Sequence, residues 1–95
     1  MPTYVMLTTL TAKGVQTLQS NPERLKEVNR HVEELGAKVL QQWGMIGAYD
    51  FLNIVEAPDA DTVAKVSVAL GARGSAKLQT YELIDIDALL ARLSE

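Results

Sequence analysis

A chain of 95 residues, 47% hydrophobic and 22% charged, has room for one hydrophobic core and is globular rather than disordered. Its formal charge of −3, from nine basic and twelve acidic side chains with no Lys/Arg cluster, argues against nucleic acid or an anionic membrane surface as a partner, since both need a concentrated basic face. With no cysteine, disulfides, thiol nucleophiles and Cys-ligated zinc or iron–sulfur centres are excluded, and no apolar run approaches the roughly 20 residues of a membrane span.

The opening Met1-Pro2-Thr3-Tyr4-Val5 lacks the basic start and long apolar stretch of a signal peptide, so a cytoplasmic location is expected. Thr3 to Leu10 is rich in β-branched and aromatic residues and reads as a strand with apolar side chains on both faces. Thr11 is placed to cap a short helix to about Gln19, with Val15 and Leu18 inward. Asn21-Pro22 then starts a second helix, Pro22 to Leu35, with Asn21 as cap and Pro22 at the first helical position. Its stripe is Leu25, Val28, Val32 and Leu35, its exposed face offers the pairs Arg30–Glu34 and Glu27–Arg30, and Gly36 ends it.

A strand follows from Ala37 or Lys38 to Met45. Gly47-Ala48 is the expected two-residue turn, of type II′ because glycine stands first, and the next strand runs to Glu56. After Ala57-Pro58, Asp59 caps a helix from Ala60 to Leu70 with Val63, Val66 and Leu70 inward, closed by Gly71. Ala72-Arg73-Gly74 is a loop, Ser75 to Ile84 a fourth strand, and Asp85 the cap of a last helix with the stripe Ile86, Leu89, Leu90 and Leu93.

The order β-α-β-β-α-β-α, with the first α split at Asn21-Pro22, is that of an α+β ferredoxin-like βαββαβ domain over residues 1–95 with an added C-terminal helix. The turn at Gly47-Ala48 sets Ile46 opposite Tyr49, Gly44 opposite Phe51 and Trp43 opposite Leu52. One sheet face then receives Leu40, Ile46, Tyr49, Phe51 and Val55, and the other Val39, Trp43, Met45, Leu52 and Ile54. Neither is polar. A ferredoxin-like sheet standing alone keeps one face wet, so a second copy of the chain is expected to cover it.

Pro2-Thr3-Tyr4-Val5, Asn21-Pro22-Glu23-Arg24, Gly47-Ala48-Tyr49-Asp50, Glu56-Ala57-Pro58-Asp59 and Leu70-Gly71-Ala72-Arg73-Gly74 together resemble the GYD-domain proteins, in this order and over nearly the whole chain. The resemblance implies a dimeric α/β barrel, two ferredoxin-like sheets packed face to face, and implies little about activity. A more distant similarity, confined to Gly47, Tyr49 and Asp50, is to the effector-binding domain of leucine-responsive/asparagine-type regulators, which bind small amino acids between subunits. No helix-turn-helix precedes the first strand here, so DNA reading of that kind is not expected.

In a pocket bordered by the turn and by an adjoining subunit, Trp43 and Tyr49 offer aromatic walls, Gly47 a close backbone approach, Asp50 a negative end and Arg73 a positive end for a small polar metabolite. Each has a structural alternative that carries more weight: Asp50 bonding backbone amides, Tyr49 and Trp43 packing, Arg73 closing a loop. His31 is read as a solvated helix residue paired with Glu27, and no metal site or cofactor is expected. A homo-oligomeric small-molecule-binding or regulatory module is therefore expected. The alternative is a small cofactor-free or haem-type enzyme of the monooxygenase or isomerase class, for which His31, Asp50 and Tyr4 are the candidates to carry a shifted pKa.

Overall fold

A computed structural model describes all 95 residues. Its centre is strand β1 (Thr3–Leu10), antiparallel to β3 (Phe51–Glu56) on one side and to β4 (Ala76–Leu83) on the other. Strand β2 (Lys38–Gly44) completes the sheet outside β3, giving the order β2-β3-β1-β4 of a ferredoxin-like fold. Helices α1 (Ala12–Ser20), α2 (Arg24–Glu34) and α3 (Ala60–Gly71) connect the strands, and α4 (Ile86–Leu93) follows β4.

Local chemistry explains most of the boundaries. The side chains of Thr11, Asp59 and Asp85 accept from the amides of Gly14, Thr62 and Ala88 and so cap α1, α3 and α4. Helix α2 ends in a Schellman motif at Gly36 (φ +104°). The Gly36 amide donates to the Glu33 carbonyl and Ala37 to that of Val32, while Val32 and Ala37 both enter the core.

At its start α2 departs from expectation. Asn21 offers its backbone carbonyl to the Arg24 amide, Pro22 and Glu23 form a turn, and the helix proper begins at Arg24 with no side-chain cap. The ion pairs on it are Arg24–Glu27 at 3.1 Å, Glu23–Lys26 at 3.6 Å and His31–Glu34 at 3.7 Å, in place of the pairs expected for Arg30. Helix α1 also differs: Val15 is exposed and Gly14 is buried, because α1 crosses the start of β4 so closely that a Cβ at Gly14 would overlap the Ser75 carbonyl.

The core lies between the helices and one face of the sheet. Tyr4 and Met6 of β1 and Val55 of β3 meet Val32 of α2 and Val63 and Val66 of α3, with Leu35, Val39, Leu70 and Leu78 packed at the edges. The sheet pairing retains Trp43 opposite Leu52 and Gly44 opposite Phe51, but a bulge between Val39 and Gln41 shifts the phase of β2. Val39 therefore stands beside Val55 against the helices, not on the face of Trp43, Leu52 and Ile54.

The opposite face carries Val5 and Leu7 of β1, Leu52 and Ile54 of β3, Trp43 of β2 and Tyr81 of β4, and no helix of the chain covers it. Helix α4 has no buried residue. Accessible surface totals 6409 Å2, whereas a compact protein of 10.4 kDa exposes about 5,400 Å2. The radius of gyration, 14.6 Å against about 12 Å for a compact chain of this length, reflects the same open shape.

Candidate functional site

The loop between β2 and β3 is longer than a two-residue turn. Strand pairing stops at Gly44 and Phe51, the Met45 amide donates to the Asp50 carbonyl at 2.8 Å, and Ile46 to Tyr49 form the tip. Gly47 keeps a positive φ of +139°, which explains the glycine, but Ile46 does not pair with Tyr49. Ile46 is fully exposed. The loop instead turns toward the end of β1: the Thr9 hydroxyl donates to the Ala48 carbonyl at 3.4 Å, and the Tyr49 hydroxyl to Gln79 Oε1 of β4 at 2.7 Å.

Asp50 spends its groups on the backbone. Its amide donates to the Thr8 carbonyl and its Oδ2 accepts from the Leu10 amide, both at 2.8 Å. The residue thus continues β3 alongside β1 after the main-chain ladder has ended. Gln79 Oε1 accepts a second phenol, that of Tyr81 at 3.2 Å, so Tyr49 and Tyr81 converge on one amide of the open sheet face. Trp43 lies farther along the same face, half-exposed, its indole N–H 3.4 Å from Gln41 Oε1.

The five residues singled out around the turn do not share a cavity. Asp50 borders a shallow depression with Val15, Leu18, Met45 and Phe51. Arg73 instead lines an interior cavity of about 110 Å3 between α1, α2 and the sheet, and Trp43, Gly47 and Tyr49 border neither space. The interior walls are mainly apolar. Asn29 and Gln42 pair their amides reciprocally there at 3.0 and 3.1 Å, whereas Asn53 Oδ1 and Arg73 Nη1 are buried without a partner. The alternation of β3 sets Asn53 on the face of Phe51 and Val55, and the structure turns that face toward the helices.

His31 lies on α2 at 3.7 Å from Glu34, not Glu27, which Arg24 holds; it borders neither space. Tyr4 is buried in the core, and that burial, with the carboxylates of Glu82 and Asp59, pushes its phenol above the ordinary value. A phenol held neutral in this way is a poorer base and nucleophile. His31, Asp50 and Tyr4 form no catalytic constellation. No three carboxylate or imidazole groups converge as a metal would require, and no helix is long and apolar enough to cross a membrane.

A small α+β fold with a four-stranded antiparallel sheet, one apolar face left open and a Gly-x-Tyr-Asp loop beside the end of its central strand defines a ferredoxin-like module. The chain belongs to the GYD-domain family, whose pattern matches residues 4–92. It is 50% identical, over 94 residues, to the glutamine synthetase and cystathionine beta-lyase binding protein of Thermus thermophilus, an alignment that spans 98% of this chain and 99% of that relative. No solved structure matches the chain significantly.

Proposed function

We propose that this protein is a non-catalytic, homo-oligomeric regulatory module of the cytoplasm that docks on metabolic enzymes. The observation that carries the reading is the uncovered apolar sheet face. Val5, Leu7, Leu52 and Ile54 form its centre, Trp43, Tyr49 and Tyr81 its aromatic margin, and the chain supplies nothing to pack on them. Aromatic side chains around an apolar centre are the usual make-up of residues that anchor protein contacts.

A second copy is the best occupant of this face. Each chain also carries an uncovered apolar helix, α4, with Ile86, Leu89, Leu90 and Leu93 exposed, so self-association covers two unsatisfied surfaces with one set of residues. The surplus of about 1,000 Å2 over a compact monomer is close to what each partner of a standard interface gives up. In this arrangement the Tyr49–Gln79–Tyr81 cluster and Trp43 are interface groups. The dimer's outer surface, made by the helices, is left to other proteins.

The relative's name as an enzyme-binding protein supports that last step, since half its residues are shared along almost its whole length. The test is direct binding: the purified protein is immobilised and titrated with glutamine synthetase and cystathionine β-lyase from its own source. Saturable binding to either enzyme is expected. Absence of binding to both, under conditions where the relative binds its own enzymes, would refute the docking role.

A further inference from the structure

Outside the open sheet face, exposed apolar side chains gather at two further places, one toward each end of the sheet. Where β1 finishes, Leu10, Val15, Leu18, Met45, Ile46 and Phe51 line the shallow depression between α1 and the β2–β3 loop, with Val15 and Ile46 exposed. At the other end β4 stops at Leu83, beside Thr3, and leads into α4, which has no buried residue. The exposed Ile86, Leu89, Leu90 and Leu93 of α4 follow the i, i+3, i+4, i+7 spacing with which an amphipathic helix enters an apolar groove.

The charges at the two places are opposite. The end of the sheet with the depression carries Lys13 and Lys77, both exposed, and the half-buried Arg73. The Lys13 ammonium lies 3.5 Å from the Arg73 carbonyl, and Lys77 stands opposite Thr9 near the end of β1. The carboxylate of Asp50 there already accepts from the Leu10 amide, while Glu23 and Glu27 of α2 are matched by Lys26 and Arg24. The segment with α4 instead sets Asp85, Asp87 and Glu95 against one guanidinium, Arg92. One chain cannot join its own two patches. The ends of β1 are about 23 Å apart at 3.3 Å per residue, whereas only Ile84 and Asp85 link β4 to α4, itself about 12 Å long.

We propose that α4 docks in this depression on a second copy of the chain, its apolar stripe against Val15, Met45 and Ile46 and its carboxylates toward Lys13 and Lys77. The inference rests on the self-association proposed above and names what covers α4. Two copies that face each other through their open sheets, strands running in opposite directions, bring each α4 to the depression end of the other. One twofold axis then closes both kinds of contact. Stacking with the strands in the same direction would set the two acidic segments side by side, which like charge disfavours. A single α4 contact is smaller than a stable interface, so it forms only where the sheet faces already hold the copies together.

The test exploits the absence of cysteine from the chain. Ala48→Cys, next to the loop tip, and Ala91→Cys, on α4, leave both sets of apolar side chains intact, and each is made alone and with the other. The proteins are treated at micromolar concentration with a short bismaleimide, too short to join the two positions within one chain. The doubly substituted protein is expected to become mostly a covalent pair of twice the 10.4 kDa chain mass under denaturing conditions, and each single variant to stay a single chain. Asp87→Lys, added to the double variant, is expected to lower the yield severalfold. A double variant that cross-links no better than the single ones, in a protein that still sediments as a multiple of 10.4 kDa, would overturn this docking and leave the self-association standing. An unaltered protein that sediments as a single chain would overturn both. A yield indifferent to Asp87→Lys would remove the charge match on which the choice of a second copy depends, and with it the proposal.

Discussion

Asp50 illustrates how far single residues can be read in this chain. Its preference for backbone amides is a property of the residue type and was legible. The amide it serves, that of Leu10, lies 40 residues away and was not, because only the pairing of β3 with β1 brings it near. Asp50→Ala leaves that part-buried amide without an acceptor and is expected to cost about 1–3 kcal/mol in urea denaturation, with Asp50→Asn losing less because it retains an oxygen. Equal losses for the two variants would mean that the hydrogen bond carries no weight. Asp59 gives a pH-dependent case. Hydrogen bonds from the Thr62 hydroxyl and then the Thr62 amide hold its carboxyl below the ordinary value of 3.8, partly opposed by desolvation. A carboxyl whose pKa is depressed by folding stabilises the fold above its unfolded value and loses that contribution as pH falls through the folded one. Asp59→Ala is therefore expected to be less stable than the natural protein at neutral pH, with the gap closing in acid below the ordinary carboxylate range. A gap independent of pH would remove the charge from the argument.

At the scale of elements, periodicity located every strand and helix and caps fixed the starts of α1, α3 and α4 but not of α2, since a stripe at 3.6 residues or an alternation at 2 needs only local sequence. What escaped were features set by contact between elements. The bulge that turns Val39 toward the helices adds one residue to β2 without any local mark, and the buried Gly14 stands where Val15 was expected inward because α1 lies against the Ser75 carbonyl. Gly14→Ala forces backbone apart rather than a flexible side chain, and about 1–3 kcal/mol of destabilisation is expected in thermal or urea unfolding. An unchanged or raised Tm would show that the α1–β4 crossing yields easily. Helix α4 was legible from Asp85 and its apolar stripe, yet eight residues without packing do not hold a helix in water. The proposed self-association would supply the packing that α4 lacks. Leu90→Glu is accordingly expected to weaken self-association while leaving the sheet intact, read as a concentration-dependent loss of mass with unchanged β-sheet circular dichroism. Sheet loss in step with the mass would place α4 in the protomer's own core instead.

Across the whole molecule, the sequence already spoke for two apolar sheet faces, and the structure assigns one to the helices and leaves the other bare. The candidate site was less legible. Arg73, Asp50 and the aromatic residues looked like members of one pocket because they flank conspicuous loops, but the fold sends them to different sides of the sheet: Arg73 to the helix-side cavity, Tyr49 to Gln79 on the open face, Asp50 to the end of β1. Asn53 follows Phe51 and Val55 onto one face by the alternation of β3, but the sequence did not say which sheet face the helices cover. The central claim concerns that bare face, and sedimentation equilibrium at micromolar concentration tests it most directly, on the natural protein and on Leu52→Glu, which sets a charge in the middle of the face. Twice the chain mass of 10.4 kDa, or a higher even multiple, is expected for the natural protein and a folded single chain for the variant. A natural protein that sediments at 10.4 kDa would contradict it.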